Sequence, residues 1–352
     1  MAYNQAEGME STPKILLIYT GGTIGMVRDY PSGTLRAFDF KNLLQQIPEL
    51  RQLECDIHSV AFANPLDSSN MDLQHWRQLA RLIAEHYGRF DGFVVLHGSD
   101  TMSYTASALS FMLEDLAKPV ILTGSQLPIG DLRTDAKENL ITTIQLAALQ
   151  DKDGPVIREV CLYFEYKLYR GNRTLKVNTE HFEAFASPNY PELAVSGVHL
   201  NVHRDRLWKS QRKGGLKVHT ELENRIGVLK LFPGMHPDWV CPVLENQQLR
   251  GLVLETFGAG NAPTAAWLLE ALEAAVKRGM HIVNVTQCAG GSVLMGRYET
   301  SSGLRDIPLI DGRDITTEAA LAKLMYLLGA GVAPRSFKTI FETSLRGELT
   351  EN

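Results

Sequence analysis

The chain has 352 residues, 44% hydrophobic and 21% charged, the proportions of a globular protein long enough to bury two cores. A formal net charge of -5, with one basic cluster at SQRKGG (210–215) beside Lys209 and Lys217, argues against nucleic acid as the main partner. No apolar run nears the roughly 20 residues that span a bilayer, and the polar start MAYNQAEGMESTP lacks a secretory core; no membrane partner is expected and the predicted setting is the cytoplasm.

The first predicted element carries the strongest signal. Ile15–Tyr19 reads as a buried strand that runs directly into Thr20-Gly21-Gly22-Thr23. Glycines at a strand's end let the backbone turn sharply and let a ligand approach main-chain N–H groups. PLDSSNM at 65–71 precedes a predicted helix over Leu73–Tyr87. Asp67 or Ser68 there reads either as that helix's N-cap or as a holder for an ammonium group. The strand Phe93–Leu96 ends in a second knot, HGSDT at 97–101, where Ser99 and Asp100 set a hydroxyl beside a carboxylate. Asp100 also reads as a cap for the following helix, and His97, inside the apolar run, as a satisfied core histidine.

A helix over Tyr104–Leu113 follows, then the strand Val120–Leu122 ending in TGSQ, a helix over Asp135–Leu149 and the strand Val160–Phe164. RGNRTLKVNT at 170–179 supplies Lys176 in a polar turn. Alone, Lys176 reads as a solvated lysine; beside a carboxylate and desolvated by a ligand, it reads as a base with a lowered pKa. Asn201–Asn224 breaks the pattern with charge and with Gly214-Gly215. The predicted organisation is a catalytic α/β domain at 1–205, a linker at 206–224 and a second α/β domain at 225–352. The second half supplies strands over Ile226–Lys230, Leu252–Glu255 and His281–Val285, and helices over Ala262–Arg278 and Thr317–Leu328. Cys55, Cys161, Cys241 and Cys288 form no CxxC pair and no zinc-like spacing, so reduced thiols and no metal are expected.

This alternation predicts an α/β fold of two lobes, each a mainly parallel sheet flanked by helices. Such sheets bind ligands outside the carboxyl ends of their strands. TGGT, HGSDT, TGSQ, ETFGAGN and TQCAGG all fall at such ends, a concentration of small and hydroxyl residues that points to a polar site. A threonine hydroxyl needs a neighbouring group to take its proton before it attacks. The residues alone leave a hydroxyl-nucleophile enzyme, a nucleotide-dependent oxidoreductase and a non-catalytic amino-acid-binding protein open. Against the oxidoreductase, TGGTIG misses G-x-G-x-x-G, and the Y-x-x-x-K pair Tyr163 and Lys167 lies in a predicted strand.

The chain resembles the bacterial-type L-asparaginases, and more narrowly their cytoplasmic type I branch. The residues that carry the resemblance begin with TGGTIGM at 20–26, DSSNM at 67–71, HGSDTMSYTASALSFMLE at 97–114 and TGSQLP at 123–128. They continue with YRGNRTLK at 169–176, FASPN at 185–189, GAGNAP at 258–263, NVTQC at 284–288 and LRGELT at 345–350. The resemblance implies two Rossmann-like lobes and hydrolysis of L-asparagine to aspartate and ammonia without a cofactor. It makes Thr23 the nucleophile and Ser99, Asp100 and Lys176 a second catalytic group. Asp67, Ser68 and Ser69, together with Ser99 and Asp100, become the substrate-binding residues. Backbone donors at Gly22 and the Thr123-Gly124-Ser125 turn are the expected oxyanion hole.

The family assembles as intimate dimers paired into tetramers, so a homodimer or homotetramer is implied, with Asn261 reaching the neighbouring subunit's site. Ser99 stands where threonine is usual, which predicts altered efficiency rather than loss of activity. A loop tyrosine is catalytic in the family, and Tyr30 is the tyrosine available for it. Some type I members use an arginine in a second, effector asparagine site. The corresponding region here holds Glu255, Thr286, Gln287 and Cys288, with Leu175 beside the lysine, which argues against asparagine activation.

Overall fold

The computed structural model describes residues 12–28, 35–37, 47–209, 214–294 and 302–351. Its first lobe is built on an eight-stranded sheet. Five strands run parallel: β1 (Lys14–Gly21), β2 (Asp56–Leu66), β3 (Gly92–Leu96), β4 (Val120–Thr123) and β5 (Val160–Phe164). In space they lie in the order β2-β1-β3-β4-β5. Three antiparallel strands extend the sheet past β5: β6 (Lys167–Arg170), β7 (Ala194–Ser196) and β8 (Leu200–Val202).

The parallel strands are apolar on both faces because both faces are covered. Leu16 and Ile18 of β1, with Phe93 and Val95 of β3, enter one core with α1 (Leu73–His86) and α2 (Met102–Met112). Ile15, Leu17 and Tyr19, with Val94 and Leu96, enter the other with α3 (Ala136–Ala148). Each fully buried aliphatic side chain contributes about 1.5–3 kcal/mol.

The second lobe is a four-stranded parallel sheet in sequential order: β9 (Ile226–Lys230), β10 (Gly251–Thr256), β11 (His281–Thr286) and β12 (Ile310–Asp311). It is flanked by α4 (Pro237–Glu245), α5 (Ala266–Lys277), α6 (Thr317–Gly329) and α7 (Pro334–Phe341). The lobes share hydrophobic surface. The core that holds Leu16 and Phe93 continues through Phe111 of α2 to Val253, Leu324 and Phe337.

Every predicted strand lies within two residues of an observed one. The helix expected from Ala262 begins only at Ala266, beyond Pro263. The stretch expected as a solvated linker is tethered where it is described. Lys217–Val218 pairs with Glu114 and Leu113, and Arg77 Nε donates to the Thr220 carbonyl at 2.8 Å. Ser210–Lys213 of the basic cluster lie outside the described residues.

Candidate active site

In a parallel sheet ordered 2-1-3-4-5, the order in which strands are added reverses between β1 and β3, and ligands bind outside the carboxyl ends there. TGGT leaves β1 and HGSD leaves β3 at this point. Gly22 has φ +90, and a Cβ on it would stand 2.5 Å from the Gly98 nitrogen. A Cβ on Gly98 would in turn stand 2.5 Å from Ser68 Oγ, and one on Gly124 would collide with the His97 carbonyl. Glycine is therefore what lets the ends of β1, β3 and β4 and the Ser68 turn close on one another. Thr23 opens a short 3-10 turn, Thr23–Gly25, and is half-buried beside this junction.

Lys176 is the hub of the second group. Its Nζ donates to Asp100 Oδ1 at 2.6 Å and to Ser99 Oγ at 2.9 Å. The lysine side chain is only 16% exposed while Asp100 is 59% exposed. A solvated surface lysine is thus ruled out, and the carboxylate is open to solvent. Because Ser99 Oγ accepts from Lys176, its own proton points to Gln126 Oε1 at 3.3 Å. Gln126 Nε2 donates to the His181 carbonyl at 3.1 Å, which fixes the amide's orientation. Gln126 received no role from the sequence; its signals were its place directly after the Thr123–Ser125 strand end and its membership of the TGSQLP segment. Nor does Asp100 cap α2, whose first turn receives no side-chain cap.

Asp67 accepts from the Ser69 N–H at 2.8 Å and so caps its own turn, Ser68–Asn70, rather than the helix beyond. The cap of α1 is Asp72, which accepts from the Gln74 and His75 N–H groups at 2.9 and 3.3 Å. Asp67 and Ser69 are exposed, Ser68 is buried, and Thr101 Oγ1 locks the Ser68 carbonyl at 2.7 Å. In the β4 turn both hydroxyls are spent on main-chain carbonyls. Thr123 Oγ1 donates to the Tyr163 carbonyl at 3.0 Å and Ser125 Oγ to the Leu127 carbonyl at 2.6 Å. Any oxyanion donor from this turn is therefore a backbone N–H. Asn139 Nδ2 holds the Gly124 carbonyl at 3.0 Å.

His97 is fully buried and fully bonded, as expected of a core histidine. Its Nδ1 faces the Gly98 carbonyl at 2.7 Å, which can only accept, so Nδ1 carries the proton. Nε2 then accepts from Thr105 Oγ1 at 2.9 Å, and Thr105 accepts from Trp76 Nε1 at 2.9 Å. Burial pushes the imidazole pKa down to about 4. Tyr163 and Lys167, the dehydrogenase-like pair, lie on β5 and β6. They turn to Glu138 at 2.6 Å and Glu183 at 3.1 Å.

Tyr30 lies outside the described residues. Asn261 sits in the second lobe, where its backbone pairs with Phe257 to close a tight turn. At the ends of β10 and β11, Gln287 Nε2 donates to the carbonyls of Leu231 and Glu255 at 2.6 and 2.8 Å. The Glu255 carboxylate accepts from Thr317 Oγ1 at 2.6 Å, with Lys230 Nζ 3.7 Å away. Thr286 Oγ1 accepts from the N–H of the exposed Cys288 at 3.1 Å.

Residues 14–208 match the asparaginase N-terminal family and residues 225–341 the glutaminase/asparaginase C-terminal domain. The chain is 42% identical over 337 residues to L-asparaginase 1 of Escherichia coli K12, covering 96% of this chain and 98% of that one. It is 40% identical over 367 residues to the 60 kDa lysophospholipase of Mus musculus, covering 98% of this chain but 64% of that longer protein. The solved structure of L-asparaginase I from Vibrio cholerae superposes with a TM-score of 0.88 at 40% identity, over 97% of this chain and all of that one. With both domains matched in order, and sequence and fold followed almost end to end, the chain belongs to the asparaginase family.

Proposed function

We propose that this chain hydrolyses the side-chain amide of L-asparagine to aspartate and ammonia by two-step acyl transfer. The observation that carries the reading is the Lys176–Asp100–Ser99 cluster, with Nζ at 2.6 and 2.9 Å, set across the Gly22–Gly98 junction from Thr23. The substrate ammonium sits on the exposed carboxylates of Asp100 and Asp67, and its α-carboxylate meets Ser68 and Ser69. Thr23 Oγ1 attacks the amide carbon, ammonia leaves with the C–N bond, and water cleaves the resulting ester to regenerate the hydroxyl. Backbone N–H groups of Gly22 and the Thr123–Ser125 turn face the oxyanion, and loss of one such donor typically costs about 3–4 kcal/mol. Lys176 activates the water through Asp100 and Ser99. Tyr30 is the tyrosine this reading offers for the family's catalytic loop position. The chemistry is all side-chain and backbone, with no cofactor in the reaction.

The same proposal sets the protein in the cytoplasm, in keeping with four free cysteines, and as a homodimer or homotetramer with Asn261 supplied across the interface. No helix among the described residues is long and apolar enough to cross a membrane. A carboxylate at Glu255 repels the α-carboxylate of an effector amino acid, so asparagine does not activate. The test is ammonia release against asparagine, with Thr23→Ala as the control. Wild type is expected to saturate hyperbolically, and Thr23→Ala to lose at least about 10³-fold in kcat with its fold intact. Substantial turnover by Thr23→Ala sinks the nucleophile assignment; a sigmoidal wild-type curve sinks the absence of activation. A non-catalytic binding protein releases no ammonia in either case.

A further inference from the structure

The residues after α7, 342–351, bridge the second lobe to the first. Lys323 of α6 and Glu348 are both fully buried and form an ion pair. Lys323 Nζ also donates to the carbonyls of Phe341 and Thr343 at 2.6 and 2.7 Å, and the Glu348 carboxylate accepts from the N–H groups of Leu345 and Arg346 at 2.9 and 2.6 Å. Ammonium and carboxylate thus fold this tail into one fixed turn, and the turn presents its carbonyls to the first lobe. The Gly347 carbonyl accepts from Arg173 Nε at 2.7 Å and from Arg170 Nη1 at 3.3 Å, and the Arg346 carbonyl accepts from Asn172 Nδ2 at 3.0 Å. Arg173 Nη1 reaches Asp314 Oδ2 at 2.8 Å, and Thr350 Oγ1 shares that carboxylate at 2.5 Å. Gly347 has φ +77, and a Cβ on it would lie 2.5 Å from Arg170 Nη1.

Arg170, Asn172 and Arg173 are the turn that delivers Lys176. Asn172 and Thr174 are fully buried, and Thr174 Oγ1 is bonded to Ser103 of α2 at 3.2 Å. Lys176 follows two residues later. We infer that the carboxyl-terminal tail, through the carbonyls of Arg346 and Gly347, is a positioning element for Lys176. It fixes the 170–174 turn so that Nζ reaches Asp100 and Ser99 together. The buried ion pair holds the tail in register, and Gly347 is the residue at which tail and turn come close enough to couple.

The inference rests on the assignment of Lys176 proposed above, and a double-mutant cycle separates the two. Gly347→Ala strains the tail at the contact, and Asn172→Ser removes one carbonyl donor mildly, so that one variant folds even where the other does not. Each is expected to lower kcat about 5- to 20-fold while KM for asparagine changes less than about 3-fold, with an unchanged circular dichroism spectrum. In a Lys176→Met background, where residual ammonia release is followed over long incubations, the same changes should have no further effect. Full kcat in both single variants, or equal losses with and without Lys176, overturns the tail's role. Undiminished turnover by Lys176→Met alone overturns the lysine assignment instead. Rate loss only in step with unfolding reduces the tail to a structural clasp.

Discussion

At the residue scale, chemistry was more legible than support. Thr23, Ser99, Asp100 and Lys176 carry functional groups that a sequence displays, and motif resemblance assigns them. What it does not display is who holds them. Gln126 orients Ser99 only because the His181 carbonyl orients Gln126, a relation across 55 residues. His97 is similar: its apolar surroundings in the sequence predicted burial, but not the Trp76–Thr105–His97–Gly98 relay that fixes its tautomer and pins the knot carrying Ser99. That relay has a consequence for stability. Folded His97 stays neutral down to about pH 4, whereas an exposed histidine takes its proton near 6.5. Between these values the unfolded chain binds more protons, so stability is present above about pH 6.5 and falls with pH through that window. The loss amounts to about 3 kcal/mol in all. Urea unfolding of wild type and His97→Gln at a series of pH values checks this. The gap between them should narrow from pH 7 to pH 4, and a gap independent of pH would remove His97 from the account.

At the element scale, buried parallel strands and long helices were legible because their apolar runs are continuous and their ends punctuated. The antiparallel extension β6–β8 was not. Its strands are three or four residues long, and the β5–β6 connection is a two-residue turn, Glu165-Tyr166, with φ +48 and +68. Such a turn ordinarily announces itself as Asn-Gly; Glu-Tyr gives no signal, and the strain is held by neighbours. The Glu165 N–H donates to Asn139 Oδ1 at 3.0 Å, the same amide that holds Gly124. Desolvation, then repulsion from Asp135, Glu138 and Glu183, pushes the Glu165 carboxyl up to about 7. The folded turn therefore retains a proton that the unfolded chain releases near 4.5, and stability is lost as pH rises from there through 7. Glu165→Gln removes the titration. It should raise the thermal midpoint at pH 8 and leave it unchanged at pH 4.5, and equal midpoints at both values would show the repulsion to be screened.

At the whole-molecule scale, two lobes were legible from the alternation of strands and helices, but their union was not. A core that runs from Leu16 to Phe337 and a tail that returns to the first lobe join residues more than 150 positions apart. The proposed homodimer or homotetramer would add a further union, between copies. Val228 of the edge strand β9, Phe232 and Trp239 of the second lobe are all exposed, and Phe232 and Trp239 lie with ring centroids 6.4 Å apart. Large apolar groups left together on a surface suit burial by another chain. If Asn261 serves the neighbouring subunit, Thr23 and Asn261 of one site come from different chains. A Thr23→Ala chain paired with an Asn261→Ala chain then has one site with both defects and one with neither. Each variant alone is expected to be inactive or weak. After co-refolding at equal amounts, half of the dimers are mixed and each carries one intact site, so activity should return to about a quarter of wild type. Sedimentation velocity on the same samples verifies the dimer or tetramer. No recovery beyond the sum of the two parents would place Asn261 and Thr23 within a single chain, and monomers in the sedimentation profile would dismiss the shared site altogether.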